Sequence, residues 1–223
     1  MRTGMFNGTN QPYAVESEAS DEKDLKMNRR QFINRSGAVA GGSLLLGNAL
    51  TSGNVLAQET RPTRGIEGQL APELEFDYWI DRDGKPGSFS VKESRGKWVF
   101  LKFFQNWCPG CHSSGFPTLQ AFAEKYNDHP DVAIAAVQTV FEGYNSNTVD
   151  AVRELQLRYD LPIMMGHDQG TPEPRELPST MRNYRSGGTP WLVLISPDGK
   201  VRYNDFHVKR ESLIEYMDAQ LAS

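Results

Sequence analysis

Residues 98–112 read WVFLKFFQNWCPGCH, and the fold follows from how this stretch is divided. Trp98 to Phe104 is a nearly unbroken apolar run of strand length, the pattern expected of a central strand buried on both faces. Cys108-Pro109-Gly110-Cys111 follows at once, at the point where a helix is expected to begin. The free amides and positive end of a helix favour an anion, so Cys108 at its mouth is read as a nucleophile. Cys111, one turn in, is read as the buried thiol that resolves a mixed disulfide. These are the only two cysteines among 223 residues. A structural disulfide usually closes a longer loop, so a pair this close points to redox or metal chemistry.

Outward from this centre the chain alternates between strand and helix patterns. A strand at Phe76–Ile80 precedes the turn Asp81-Arg82-Asp83-Gly84-Lys85. A helix after Cys108 places Leu119, Phe122, Ala123 and Tyr126 on one face, with Pro117 expected to kink it. Further strands are expected at Val132–Val137 and Ile163–Met165. Between them lies a helix capped by Asn147, with Val149, Val152, Leu155 and Tyr159 inward. Trp191–Ile195, the turn Pro197-Asp198-Gly199-Lys200 and Val201–His207 form a hairpin. The last helix carries Leu213, Tyr216, Met217 and Leu221 on one side. This is an α/β domain with a central mixed sheet flanked by helices, assigned to residues 71–223.

The front of the chain has another character. Residues 1–27 show no period of helix or strand. Asn28-Arg29-Arg30-Gln31-Phe32-Ile33 is followed by a small, apolar, glycine-diluted run from Ser36 to Leu50, then Val55-Leu56-Ala57. A basic start, an apolar middle and a small-residue exit make an export signal, and the paired arginines resemble the twin-arginine signal of bacteria. Residues 1–57 are therefore assigned to an extension and signal, with residues 58–70 as linker. The apolar run is too short and glycine-rich to suggest an anchor, so the mature form is not expected to span a membrane. A net charge of −4 argues against nucleic-acid partners, which need a basic face.

Trp107-Cys108-Pro109-Gly110-Cys111 after Phe103-Phe104, with Gly188-Thr189-Pro190 before a later strand, closely resembles the thioredoxin superfamily. The nearest branch is similar to the exported TlpA-type thiol–disulfide oxidoreductases of the AhpC/TSA redoxin group. The resemblance implies a thioredoxin-like fold and exchange with protein thiols and disulfides. It also implies electrons from a membrane-linked donor and no cofactor beyond the redox-active disulfide Cys108–Cys111. In that family the proline matching Pro190 is cis and faces the disulfide. Pro190 and Thr189 are then expected to shape the substrate groove, with Trp107 and Pro109 beside it.

The chain departs from the family pattern at instructive places. Thioredoxins carry aspartate six positions before the first cysteine, where this chain has Lys102. A buried lysine there takes the second thiol's proton as an amine or stabilises a thiolate as an ammonium; one whose amine reaches solvent or pairs with an acid does neither. Pro117 falls one position later than in thioredoxins, which implies a local adjustment around Ser113-Ser114-Gly115. His112 either tunes the thiols or faces solvent.

Three rival chemistries bear on the same residues. Cys108-Pro109-Gly110-Cys111-His112 is literally a c-type haem attachment pattern, with Met164 or Met165 as conceivable axial partners. Peroxiredoxins share the architecture, but carry threonine three positions before the reactive cysteine, where this chain has Gln105. Copper-binding relatives of the Sco type have three residues between their cysteines, where this chain has two, and His207 is only a loose candidate ligand. No resident metal is expected. His129 and His167 are read as surface residues in loops, and Phe141–Asn145 either selects partners beside the disulfide or simply connects two elements.

Overall fold

A computed structural model describes residues 64–222; the signal expected at 1–57 and residues 58–63 lie outside the described residues. The strands are β1 (Tyr78–Ile80), β2 (Trp98–Phe104), β3 (Val132–Val140), β4 (Met164–Gln169), β5 (Trp191–Ile195) and β6 (Val201–Asp205). A π-helical turn, Cys111–Gly115, leads into α1 (Phe116–Tyr126). The other helices are α2 (Val149–Arg158), α3 (Ser179–Asn183) and α4 (Arg210–Leu221).

All strands join one mixed sheet in the order β1-β4-β3-β2-β5-β6. β2 runs parallel to β3 and antiparallel to β5, and all seven of its residues are buried. Its nearly unbroken apolar run follows from that central place: both faces are covered, so every residue but Lys102 is apolar. The pleat still sorts the residues. Phe100 and Phe104 face α1, α2 and α4, packing with Leu119, Phe122, Val152, Leu155, Leu213 and Met217. Val99, Leu101 and Phe103 face the opposite side, against Ile66, Leu74, Trp79, Val91 and Tyr184. The result is the thioredoxin-like α/β sandwich expected from the sequence.

Several boundaries differ, each for a local reason. β1 begins at Tyr78, where pairing with β4 starts, and β3 and β4 run on together to Val140 and Gln169. β6 ends at Asp205, whose carboxylate takes the Phe206 amide. Thr148, not Asn147, caps α2 by accepting the Ala151 amide, and Val149 is exposed. Pro117 does not kink α1: it stands in the first turn, where its missing N–H costs little. The adjustment lies just ahead, in the π turn that closes on a bond from the Phe116 amide to the Cys111 carbonyl. That is where the late proline implied it.

Two features had no signal in the sequence pattern. Residues 65–70, placed in the linker by the sequence reading, run along the far edge of the sheet. The Gly68 amide bonds Val201, and Ile66 is buried. The five-residue α3 is too short to show a helical period. It is held from β4 by Asp168, whose carboxylate accepts from Ser179 Oγ, Thr180 N and Thr180 Oγ1 at 2.7–2.9 Å. Tyr184, at its end, donates to the Pro72 carbonyl, so the segment leading to Thr189 is tied down at both ends.

Candidate active site

Strand β2 ends at Phe104, and residues 105–110 carry the chain over to the helix. Cys108 and Cys111 are free thiols, 7 % and 0 % exposed. The Cys111 amide points at Cys108 Sγ, 3.4 Å away, so the helix start does present a donor to that sulfur. The Cys108 thiol donates to the Thr189 carbonyl at 3.5 Å. The Thr189–Pro190 peptide is cis, as the resemblance implied. A Cβ on Gly110 would lie 3.1 Å from Pro190 Cδ, and one on Gly115 would lie 3.2 Å from Pro190 Cβ. Glycine at both positions lets the proline seat directly on the dithiol turn.

The loop that carries Cys108 is held by its own neighbours. Asn147, fully buried, accepts from the Asn106 amide at 2.7 Å and donates to the Glu142 and Gly143 carbonyls. Asn106 in turn donates to the Ser146 carbonyl. His112 is neither free in solvent nor turned to the thiols. Its Nε2–H donates to the Asn106 carbonyl, and Nδ1 lies 2.6 Å from the Tyr159 hydroxyl. Both ring nitrogens are therefore engaged, and the ring acts as a brace between this loop and the end of α2. Tyr159 also stacks on Phe116, with ring centroids 4.3 Å apart.

Trp107 is 47 % exposed and packs against Gly143, where a Cβ would come within 2.7 Å of the indole nitrogen. The Phe141–Asn145 segment therefore borders the site. Gly143, Tyr144, Asn145, Ser146 and Pro172 line a depression there, and Gly143 is the residue Trp107 packs against. Pro109 is exposed beside the dithiol. Sequence reasoning missed Asn106, Asn147 and Tyr159 as the framework of the loop. No motif marks them, because their partners are backbone groups far away in the chain.

Burial dominates the charges beneath. Desolvation pushes the Cys111 thiol up to about 12, opposed by the Gln105 backbone and the Thr189 side chain, which favour its thiolate. Lys102 is 3 % exposed, so its amine does not snorkel to solvent. Desolvation lowers Lys102 to about 8, against the opposing pull of Cys111 and Cys108. His129 accepts the Asp131 amide in a turn, and His167 lies in β4, half-buried and bonded to Gln138, rather than in a loop. Among the described residues, no three of His, Cys, Asp or Glu converge to hold a metal. No helix of these residues is long and apolar enough to cross a membrane.

The sheet order, the dithiol at a helix start and the facing cis-proline together define a thioredoxin-like thiol–disulfide oxidoreductase. The chain belongs to the AhpC/TSA family, which it matches over residues 68–204. It is 31% identical over 133 residues to the thiol-disulfide oxidoreductase ResA of Bacillus cereus, covering 60% of this chain and 67% of that protein. Among solved structures it is similar to a thioredoxin-like superfamily protein, with TM-score 0.60 and 30% identity over 68% of this chain and 95% of the other. It is also similar to a thiol-disulfide isomerase from Corynebacterium glutamicum, with TM-score 0.58 and 29% identity over 69% and 97% of the two chains.

Proposed function

We propose that this protein is exported through a twin-arginine-type signal and exchanges a Cys108–Cys111 disulfide with protein thiols, working as a reductase. One observation carries the reading: the Cys108 thiol meets the carbonyl of Thr189, the residue before the cis-proline. An extended client segment laid along Thr189 brings its own sulfur to Cys108, with main-chain bonds supplying affinity and side-chain pockets supplying choice. Trp107 and Pro109 form the exposed flank of that groove. Cys108 attacks, a mixed disulfide forms, and Cys111 resolves it. The names of the relatives, an oxidoreductase and an isomerase, support the same chemistry. Electrons are proposed to arrive from a membrane-linked donor, as the resemblance to the TlpA branch implies.

The test is a redox titration of the full chain in glutathione buffers, with a visible spectrum of the same sample. A two-electron transition that disappears in Cys108→Ser supports the reading; a Soret band or no titratable dithiol overturns it. A midpoint near thioredoxin's, about −270 mV, fits a reductase, and one near about −120 mV fits an oxidase. Export is tested by fusing residues 1–57 to a reporter. Loss of export on changing both Arg29 and Arg30 to lysine supports the twin-arginine route, and unchanged export refutes it.

A further inference from the structure

Lys102 is a buried lysine that forms no ion pair with a carboxylate among the described residues. It lies mid-strand in β2, between Ala136 of β3 and Leu192 of β5. The pleat turns it to the same face as Phe100 and Phe104, under the π turn. A Cβ on Gly115 would stand 3.3 Å from Lys102 Cε, so glycine at that position leaves the lysine room to run beneath the dithiol. The ion pairs of the described residues join other, exposed side chains.

The groups around it are few. β3 presents Ala136 and β5 presents Leu192. The π turn presents Cys111 and Gly115, the preceding loop Cys108, and the cis-proline segment Pro190. His112 is committed to Asn106 and Tyr159. Asp205, opposite Leu192 one strand further out, holds the Phe206 amide. The charges that act on Lys102 are those of Cys111 and Cys108. An ammonium so placed is costly, which makes the neutral amine accessible near pH 8, and the neighbouring Cys111 thiol is reluctant to ionise unaided.

We infer that Lys102 is the proton acceptor for Cys111 in the resolving step, taking the part that a carboxylate plays in thioredoxins. This rests on the proposed exchange at Cys108 and deepens it. Cys108 thiolate attacks a client disulfide: the Cys108–client S–S bond forms, the client's own bond breaks, and one client thiolate leaves. Cys111–SH then gives its proton to the Lys102 amine. The Cys111 thiolate attacks Cys108 Sγ, the Cys108–Cys111 bond forms, and the second client thiolate departs with the electron pair of the broken bond. The client gains two electrons, the dithiol loses two, and the Lys102 ammonium releases its proton to water.

The experiment mixes the reduced full chain with dithionitrobenzoate, which reports two steps. The first thionitrobenzoate release marks the mixed disulfide and the second marks resolution by Cys111. In the wild type the second rate rises with pH and levels off above about 8, as the amine form fills. Lys102→Met slows this step on the order of 100-fold at neutral pH, with a smaller change in the first, and abolishes the levelling. Lys102→Arg keeps a charge that cannot accept a proton and is slowed likewise. Lys102→Glu restores the step with its profile moved to lower pH. A second phase unchanged in Lys102→Met overturns the inference, as does full recovery in Lys102→Arg, which would leave only a counter-charge. A wild type that releases no second thionitrobenzoate defeats the exchange reading itself. Should the variants not fold, the wild-type Lys102 Cε resonance decides: titration near 8 supports the inference, and titration near the ordinary 10.5 overturns it.

Discussion

The two faces of the central sheet do different work, and β2 shows it residue by residue. On one face Val99, Leu101 and Phe103 meet Trp79, Tyr184 and the segment that begins at Gly65, and nothing titratable lies among these three. On the other, Phe100 and Phe104 flank Lys102 and lead up to Cys108 and Cys111. One strand thus supplies three apolar side chains to one side and a buried amine to the other. The difference teaches that a strand covered on both faces can hold an ionisable group on one of them, at a desolvation cost. Chemistry is expected to fail on one side and stability on both.

The largest effect expected is from Cys108→Ser, which removes the proposed nucleophile. Disulfide exchange should fall to background while the melting temperature stays close to wild type; retained exchange would break the assignment of the chemical face. Next come Phe100→Ala and Phe103→Ala, both fully buried and one on each face. Each should lose about 3–5 kcal/mol in urea unfolding. Phe100 stacks on Phe122 of α1, 4.2 Å between centroids, so only its loss is expected to shift the redox midpoint as well.

Asn147→Ala is a smaller blow. It strips the Asn106 amide of its partner and should cost about 1–3 kcal/mol. Because the same loop carries Trp107 and Cys108, client turnover should drop further than stability alone explains, which kinetics at a temperature well below melting will show.

A pH test comes next. Burial holds His167 below its ordinary 6.5, against the opposing Gln169 bond and Asp168 charge. The native state then binds protons less readily than the unfolded chain, so its contribution is complete above 6.5 and declines as pH falls through that value. Melting temperature should fall as pH is lowered through this window in the wild type, and less so in His167→Gln. The smallest effect is on the opposite face. Glu73 accepts from Leu74, Ser90, Val91 and Lys92, and these bonds keep its carboxyl below the usual range although desolvation pushes the other way. Its contribution is present above the ordinary 4.5 and is lost as pH falls through the lower folded value. Glu73→Gln at this exposed site should cost about 0.5 kcal/mol at neutral pH, read by urea unfolding, and leave exchange untouched.

Much of this is legible in the sequence. Trp98–Phe104 and Trp191–Ile195 are readable because a continuous apolar run bounded by turn residues has few other uses. The cysteine pair and Gly188-Thr189-Pro190 are readable as motifs. Asn147 reads as a cap because its residue type suits one, whereas its amide is spent on Asn106, Glu142 and Gly143. His112 is readable as a position but not as a brace, since Tyr159 and Asn106 meet it only through folding. The short α3 escapes because Asp168, from another element, holds its first turn.

The residues by themselves therefore determined the layered α/β class, the place of the dithiol at a strand–helix junction and the central position of β2, because these follow from local periodicity and turn chemistry. Tertiary structure decided what surrounds the thiols. Only packing brings Gly115, Pro190, Lys102 and Cys111 together, and only burial turns a lysine in a strand into an amine that can take a proton near neutral pH. Desolvation is a property of the neighbours a side chain acquires, and no residue carries it alone.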